Sequence, residues 1–241
     1  KEKVNVMIKG LEQHISNNFG IEFNNIQLLS VAFTHSSYAN DHRDTEMAHL
    51  ERLEFLGDAV IELIVSDYLY KEYPDLPEGQ LTKMRAAAVR AETLSQLAVE
   101  SGLPQYILLG RGEEQSNGRE RISLLCDVFE AFIGAIYLDQ GLETTEKVLS
   151  KVLFPKISAG DFSHGMDYKT ALQEWIQKDG VVQIDYQVVD TSGPDHAREF
   201  KVEVKIEGDS MGIGVGTSKK RAEQNAAKSA FKAIVREDEE N

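Results

Sequence analysis

Through the first two thirds of the chain, apolar residues recur at helical spacing. Leu50, Leu53, Leu56, Val60, Leu63 and Ile64 follow one another at steps of mostly three and four, as do Leu81, Met84 and Ala88, then Leu94, Leu97 and Ala98. Helix ends are expected at Tyr73-Pro74, where the ring cannot continue a helix, and at Ser101-Gly102, where Gly takes the left-handed exit. No convincing period-two alternation occurs there. The pattern predicts an all-α domain over residues 1–157.

The grammar changes after PKISAGDFSHG, residues 155–165, which holds a Pro, two Gly and two Ser between periodic stretches. We place a linker at 158–165. Residues 167–178 suit an amphipathic helix. Ile184, Tyr186 and Val188 then alternate with polar neighbours, and Phe200, Val202, Val204 and Ile206 face opposite to Glu199, Lys201, Glu203, Lys205 and Glu207. MGIGVG supplies a third short strand and residues 218–235 a last helix. The second domain, 166–236, is thus expected to be a small α+β unit of order α-β-β-β-α, with both helices on one face of an antiparallel sheet. Residues 237–241 form an acidic, solvated tail.

The formal charge of −14 argues against a protein that grips nucleic acid with its whole surface. Its distribution says more. Residues 1–157 carry 15 basic and 24 acidic side chains, and residues 158–241 carry 11 and 16. Glu237, Asp238, Glu239 and Glu240 account for most of the second excess, so the rest of that segment has room for a basic patch. The single cysteine, Cys126, rules out an internal disulfide and fits a reducing compartment. No run of about 18 apolar residues suggests a membrane span, and KEKVNVMIKG lacks the apolar core of a signal peptide. A cytoplasmic protein is expected.

Carboxylates occur where a core should be. Glu51, Glu54, Asp58 and Glu62 are spaced three, four and four, forming one stripe of a helix that has no Lys or Arg from Leu53 to Tyr70. A second element, residues 122–138, is apolar all round except for Ser123, Asp127 and Glu130. Both helices are expected to be largely buried. Bare buried carboxylates cost several kcal/mol each. Hydrogen bonds to buried groups, or pairing with Arg52 or Arg85, would relieve them. So would divalent metal: hard oxygen donors suit Mg²⁺ or Mn²⁺, and Glu54, Asp58, Asp127 and Glu130 could hold one or two ions.

Other chemistries are weaker fits. Zinc would want Cys and His at close spacing. A di-iron bundle would want two Glu-x-x-His pairs, and only Glu46-x-x-His49 exists. His35, Ser36 and Ser37 lack a nucleophile elbow and read as capping residues. GIGVG lacks the context of a dinucleotide site and reads as strand and turn.

In the second domain, Thr217 or Ser218 caps the last helix, whose first turn holds Lys219, Lys220 and Arg221. Cations there oppose the helix dipole at about 0.3–1 kcal/mol each, yet they make the helix start an anion site. With Thr170, Gln173 and Glu174 on the first helix and His196 in the GPDHAREF loop, three separated regions could follow a duplex across two shallow grooves and read 2′-hydroxyls. Tyr186 and Phe200 alternate onto the buried face, so no stacking platform for single strands is evident.

HLERLEFLGDAV, LPEGQLTKMRA and LLCDVFEAFIGAIYLDQG resemble the characteristic segments of bacterial ribonuclease III, and DYKTALQEW, GPDHAREF and TSKKRAEQNAA resemble its C-terminal double-stranded RNA-binding domain. The resemblance runs from about Asn24 to Ala233. It implies a homodimeric all-α endonuclease domain and an α-β-β-β-α RNA-binding domain. It also implies Mg²⁺-dependent cleavage of double-stranded RNA to 5′-phosphate and 3′-hydroxyl ends, in processing of rRNA and mRNA precursors. By resemblance the metal carboxylates fall on Glu54, Asp58, Asp127 and Glu130, with Asp58 and Glu130 catalytic. Glu51 and Glu78 match secondary acidic positions of the cleft and dimer interface, while Glu62 has no catalytic counterpart. The sequence departs from the family at Leu50, usually Asn, at Cys126, often a small residue such as Ala, and at Arg221, commonly Glu.

Two rivals compete with a metal-dependent RNA hydrolase. One is a binding protein in which an inert helical dimerisation domain carries an RNA-binding module. The cation-free acidic helices speak against it, since an inert domain has no reason to keep them. The other is a DNA nuclease, disfavoured by the hydroxyl-reading layout of the second domain.

Overall fold

In the computed structural model, residues 2–42, 47–159, 168–177, 180, 182–194 and 198–239 are described. By its internal contacts the chain divides into two units, Lys1–Lys71 with Met84–Phe162 and Glu72–Lys83 with Ser163–Asn241. Helices α1 (Glu2–Phe19), α2 (Ile26–Ala32), α3 (Ser36–Asp41), α4 (Glu51–Glu72), α5 (Glu78–Val89), α6 (Ala91–Glu100), α7 (Arg111–Gln115), α8 (Ile122–Val152) and α9 (Phe154–Ala159) come first. They are followed by α10 (Tyr168–Ile176), strands β1 (Ile184–Ser192), β2 (Glu199–Ile206) and β3 (Asp209–Gly216), and α11 (Lys219–Glu239).

The first unit is organised around α8. Its first four turns are apolar apart from Ser123, Asp127 and Glu130, and Leu124, Val128, Phe129, Ala131, Phe132, Ile133, Ala135 and Ile136 are buried. Phe132 meets the rings of Phe19 and Phe33 at centroid separations of 5.6 and 6.0 Å. Each such phenyl ring contributes about 1.5–3 kcal/mol on burial. Two polar devices fix the surrounding chain. Asp139 accepts hydrogen bonds from the Asn24 and Asn25 amides, both at 2.8 Å, where the chain enters α2. Gly141, at φ 82°, breaks the regular path of α8 in the left-handed region.

Helix α4 packs one face only. Leu53, Gly57, Val60, Ile61, Ile64, Val65 and Leu69 are buried, but Phe55 is 81% exposed, Leu63 57% and Tyr70 74%. The sequence reading buried this helix on nearly all sides. The single chain covers one side of it and leaves an apolar outer face.

Within the second unit the sheet order is β1-β2-β3, antiparallel throughout. Val202 and Val204 are fully buried, as the alternation predicts. Val188 is not: a bulge between Val188 and Asp190 breaks the alternation of β1, and Val188 is 44% exposed. The GIGVG segment is indeed strand, and its glycines have a packing role. Gly212, Gly214 and Gly216 face α11, where a β-carbon on Gly212 would stand 2.6 Å from the Ala226 carbonyl oxygen and one on Gly216 2.6 Å from the Ala222 nitrogen. Ala222, Ala226 and Ala230 complete this close helix–strand contact, each fully buried. The last helix runs beyond the expected end at 235 to Glu239, so the backbone of the acidic run through 239 is helical.

Candidate metal centre and nucleic-acid surface

Helices α4 and α8 meet backbone to backbone. A β-carbon on Gly57 would overlap the Glu130 carbonyl oxygen, and one on Gly134 would overlap that of Leu53. This crossing brings the helix segment of Glu54 and Asp58, which flank Gly57, close to that of Asp127 and Glu130, two turns and one turn before Gly134. The sequence reading missed both glycines. A lone Gly inside each of two otherwise apolar helices was the available signal.

Burial is the largest influence raising the Glu54 carboxyl above its ordinary range, and the charges of Asp127, Glu51 and Asp58 push the same way. Glu130 is pushed up to about 7, first by burial and then by Asp58, Asp127 and Glu54, while a hydrogen bond from Cys126 opposes the shift. Asp127 is also raised by burial, against the fields of His35 and Arg121. Donor atoms of Cys126, Asp127 and Glu130 lie within 4.8 Å of one another. The thiol of Cys126 is buried and held protonated, chiefly by that burial.

Among the described residues none of the four carboxylates is in an ion pair. The guanidinium partners considered for them are engaged elsewhere or turned outward: Arg85 donates to Ser66 Oγ at 3.1 Å, and Arg52 is exposed. Arg121 pairs with Glu113 at 3.0 Å. Burial is shallower than the sequence implies, because Glu54, Asp127 and Glu130 are half-buried and Asp58, Glu51 and Glu62 are exposed. These acids are therefore partly open to solvent, where a cationic ligand could reach them. Oxygen donors in such a set fit Mg²⁺ or Mn²⁺.

Neighbouring residues fall as follows. Glu51 lies 3.8 Å from His49 Nδ1. Glu78, in the other unit, opens α5, is exposed and accepts a hydrogen bond from Thr82 Oγ1 at 2.9 Å. His35 caps α3 by accepting from the Ser37 amide at 3.2 Å, and Ser37 Oγ accepts from the Gly110 amide at 2.9 Å. These are the capping roles expected. Leu50 is buried, and its amide donates to the Thr34 carbonyl at 2.9 Å.

In the second unit, Thr170, Gln173 and Glu174 share one face of α10, the latter two exposed. Ser218 Oγ caps α11 by accepting from the Arg221 amide at 3.2 Å, and Lys219, Lys220 and Arg221 are exposed in the first turn. Polar contacts between α10 and α11 include the Lys169–Glu223 pair at 2.8 Å and the Tyr168 amide donating to Gln224 Oε1 at 2.7 Å. His196 lies outside the described residues.

A helical unit whose acidic residues on α4 and α8 are in no ion pair among the described residues, joined in one chain to a helix–three-strand–helix unit with a basic helix start, defines a class: a nuclease-type helical domain with an RNA-binding module. Comparison with known proteins gives the family. Residues 25–157 match the family described as Ribonuclease-III-like, and residues 168–234 match the double-stranded RNA binding motif. The chain is 55% identical to Ribonuclease 3 of Enterococcus faecalis over 224 residues, 93% of this chain and 97% of that one. It is 52% identical to Ribonuclease 3 of Streptococcus thermophilus, covering 93% and 98%. Its fold is similar to the nuclease domain of ribonuclease III from Campylobacter jejuni, with a TM-score of 0.54 and 35% identity over 59% of this chain and 95% of that one. The chain belongs to the ribonuclease III family and is an endoribonuclease carrying a double-stranded RNA-binding domain. Among the described residues no helix is long and apolar enough to cross a membrane.

Proposed function

We propose that this endoribonuclease hydrolyses phosphodiester bonds of double-stranded RNA with Mg²⁺, or Mn²⁺ in its place, held by Glu54, Asp58, Asp127 and Glu130. The observation that carries the reading is that Asp127 and Glu130 bring donor atoms within 4.8 Å of one another, that the charges of Glu54 and Asp58 help raise Glu130 to about 7, and that among the described residues none of the four is in an ion pair. Bound there, divalent ions supply Lewis acidity that makes water a nucleophile and offsets charge on the scissile phosphate. The chain's own part is positional. Helix α4 offers Glu54 and Asp58 and helix α8 offers Asp127 and Glu130, and the Gly57–Gly134 crossing fixes the two pairs. Asp58 and Glu130 are the pair we assign to the reaction itself. Glu51 and Glu78 are secondary acidic positions. The products are 5′-phosphate and 3′-hydroxyl ends.

Substrate selection falls to the second domain. Thr170, Gln173 and Glu174 of α10, His196 and the Ser218-Lys219-Lys220 helix start contact 2′-hydroxyls and phosphates of A-form RNA, and DNA is not a substrate. The family matches over 25–157 and 168–234 support the division into a nuclease domain at 1–157, a linker at 158–165, an RNA-binding domain at 166–236 and a tail. The working form is a homodimer, in which two clefts cut one duplex once on each strand. The exposed Phe55, Leu63 and Tyr70 face of α4 supports this, and the Campylobacter jejuni structure is described as flexible in a region involved in dimer formation. The setting is the cytoplasm and the substrates are structured rRNA and mRNA precursors.

The test incubates labelled duplex RNA and duplex DNA with the protein in Mg²⁺ and in EDTA. Cutting of RNA alone, and only with metal, is expected. Intact RNA in Mg²⁺ would overturn the reading.

A further inference from the structure

Glu130 receives a hydrogen bond from an unusual donor. Cys126, one helical turn earlier on α8, points its thiol at Glu130 Oε1, with sulfur and oxygen 3.3 Å apart. Cys126 is only 7% exposed, so the donor side of this contact is buried. The backbone of Glu130 is pinned by the Gly57 crossing, yet its side chain makes no ion pair among the described residues. A glutamate holds its head on three rotatable bonds, and ordering such a side chain costs up to about 1.5–2 kcal/mol. A donor that has already ordered it removes part of that cost when a ligand arrives.

We propose that Cys126 is a positioning residue for the metal set: its S–H holds the Glu130 carboxylate in place, so that the cleft meets a divalent ion with this ligand already oriented. The inference rests on the metal role proposed for Glu130. As a neutral, buried donor the thiol orients the carboxylate without adding charge to an already anionic cleft. Its effect is therefore on how tightly the ion is held, rather than on the chemistry once the ion is bound.

The test is calorimetric titration of Mn²⁺ into the full-length, RNA-free protein, comparing wild type with Cys126→Val, Cys126→Ala, Cys126→Ser and, as control, Glu130→Gln. Val removes the donor at similar volume, Ala removes it without adding bulk, and Ser keeps a donor. About tenfold weaker Mn²⁺ binding is expected for both Val and Ala, the range seen when a group supporting a metal ligand is lost, with Ser within about twofold of wild type. Cleavage should show the same split, the Mg²⁺ concentration for half-maximal rate rising while the rate at saturating Mg²⁺ holds. Wild-type Mn²⁺ affinity in folded Ala or Val variants, with Glu130→Gln weakened, would overturn the positioning role and leave the metal reading standing. No Mn²⁺ uptake by the wild type would overturn the metal reading, and this inference with it.

Discussion

Gly57 of α4 stands against the carbonyl oxygen of Glu130 in α8, so close that a single β-carbon would overlap it; that carbon would also stand 3.0 Å from the Gly134 nitrogen. The two acidic pairs stand on helices whose backbones touch here. Gly57→Ala should therefore force the helices apart. Overpacking a rigid backbone contact costs about 1–3 kcal/mol and occasionally more, and a shift of the helices separates Glu54 and Asp58 from Asp127 and Glu130. We expect a clearly lowered denaturation midpoint and loss of cleavage. A Gly57→Ala protein as stable and active as wild type would mean that the crossing is looser than described.

Glu130 gives a pH signature. Its carboxyl is raised from an ordinary 4.5 to about 7 in the folded chain, chiefly by burial. An acid whose folded pKa is raised binds its proton more tightly folded than unfolded. The sign is then fixed: there is no penalty below the unfolded value, and stability falls as pH rises from about 4.5 to about 7, with the full loss retained above. Because the group is only half-buried, about 1–3 kcal/mol is a fair range. Glu54 and Asp127 are raised too and act in the same direction. In metal-free buffer, Glu130→Gln should raise the denaturation midpoint at pH 8 and change it little at pH 5. Mg²⁺ should stabilise the wild type at pH 8 more than the variant. A variant no more stable than wild type at pH 8 would count against a strained carboxylate.

Much of this was legible in the sequence because its causes are local. Leu53, Val60 and Ile64 announce their helix through spacing alone, and Val202 and Val204 their strand through alternation. The carboxylates stood out because Lys and Arg are missing around them. The relations between elements were not legible. Spacing shows that Asp58 and Glu54 share a face, but not that the face lies half open, since that depends on how much of α4 the rest of the chain covers. The bulge at Val188 and the thiol contact of Cys126 with Glu130 arise from register and rotamer, which one-dimensional periodicity does not encode.

Lys219 and Lys220 sit exposed in the first turn of α11, where they work against the helix dipole. Their removal should help the fold slightly, by up to about 0.3–1 kcal/mol each, while harming duplex binding. For Lys219→Ala with Lys220→Ala we expect weaker RNA binding and a salt dependence flattened by up to about two units of slope. The denaturation midpoint should be unchanged or higher. Lower stability with an unchanged salt slope would make these lysines structural and remove them from the RNA surface.

Phe55 carries the last prediction. It is 81% exposed in the single chain, on the same side of α4 as Leu63, 57% exposed, and two turns further on from Leu63 comes Tyr70 at 74%. Large apolar side chains scattered singly on a surface are ordinary, but three along one helix face are a feature that an interface would cover. In a two-fold dimer each Phe55 is counted twice, so Phe55→Ala removes about 3–6 kcal/mol of burial. That corresponds to a dissociation constant raised a hundredfold or more. Sedimentation equilibrium should find dimers for the wild type and monomers for the variant at micromolar concentration. Each monomer keeps Glu54, Asp58, Asp127 and Glu130, so Mn²⁺ binding should survive while paired cleavage of the two strands is lost. A wild-type protein that sediments as a monomer would leave the α4 face without its proposed occupant and would require both cuts to come from one cleft.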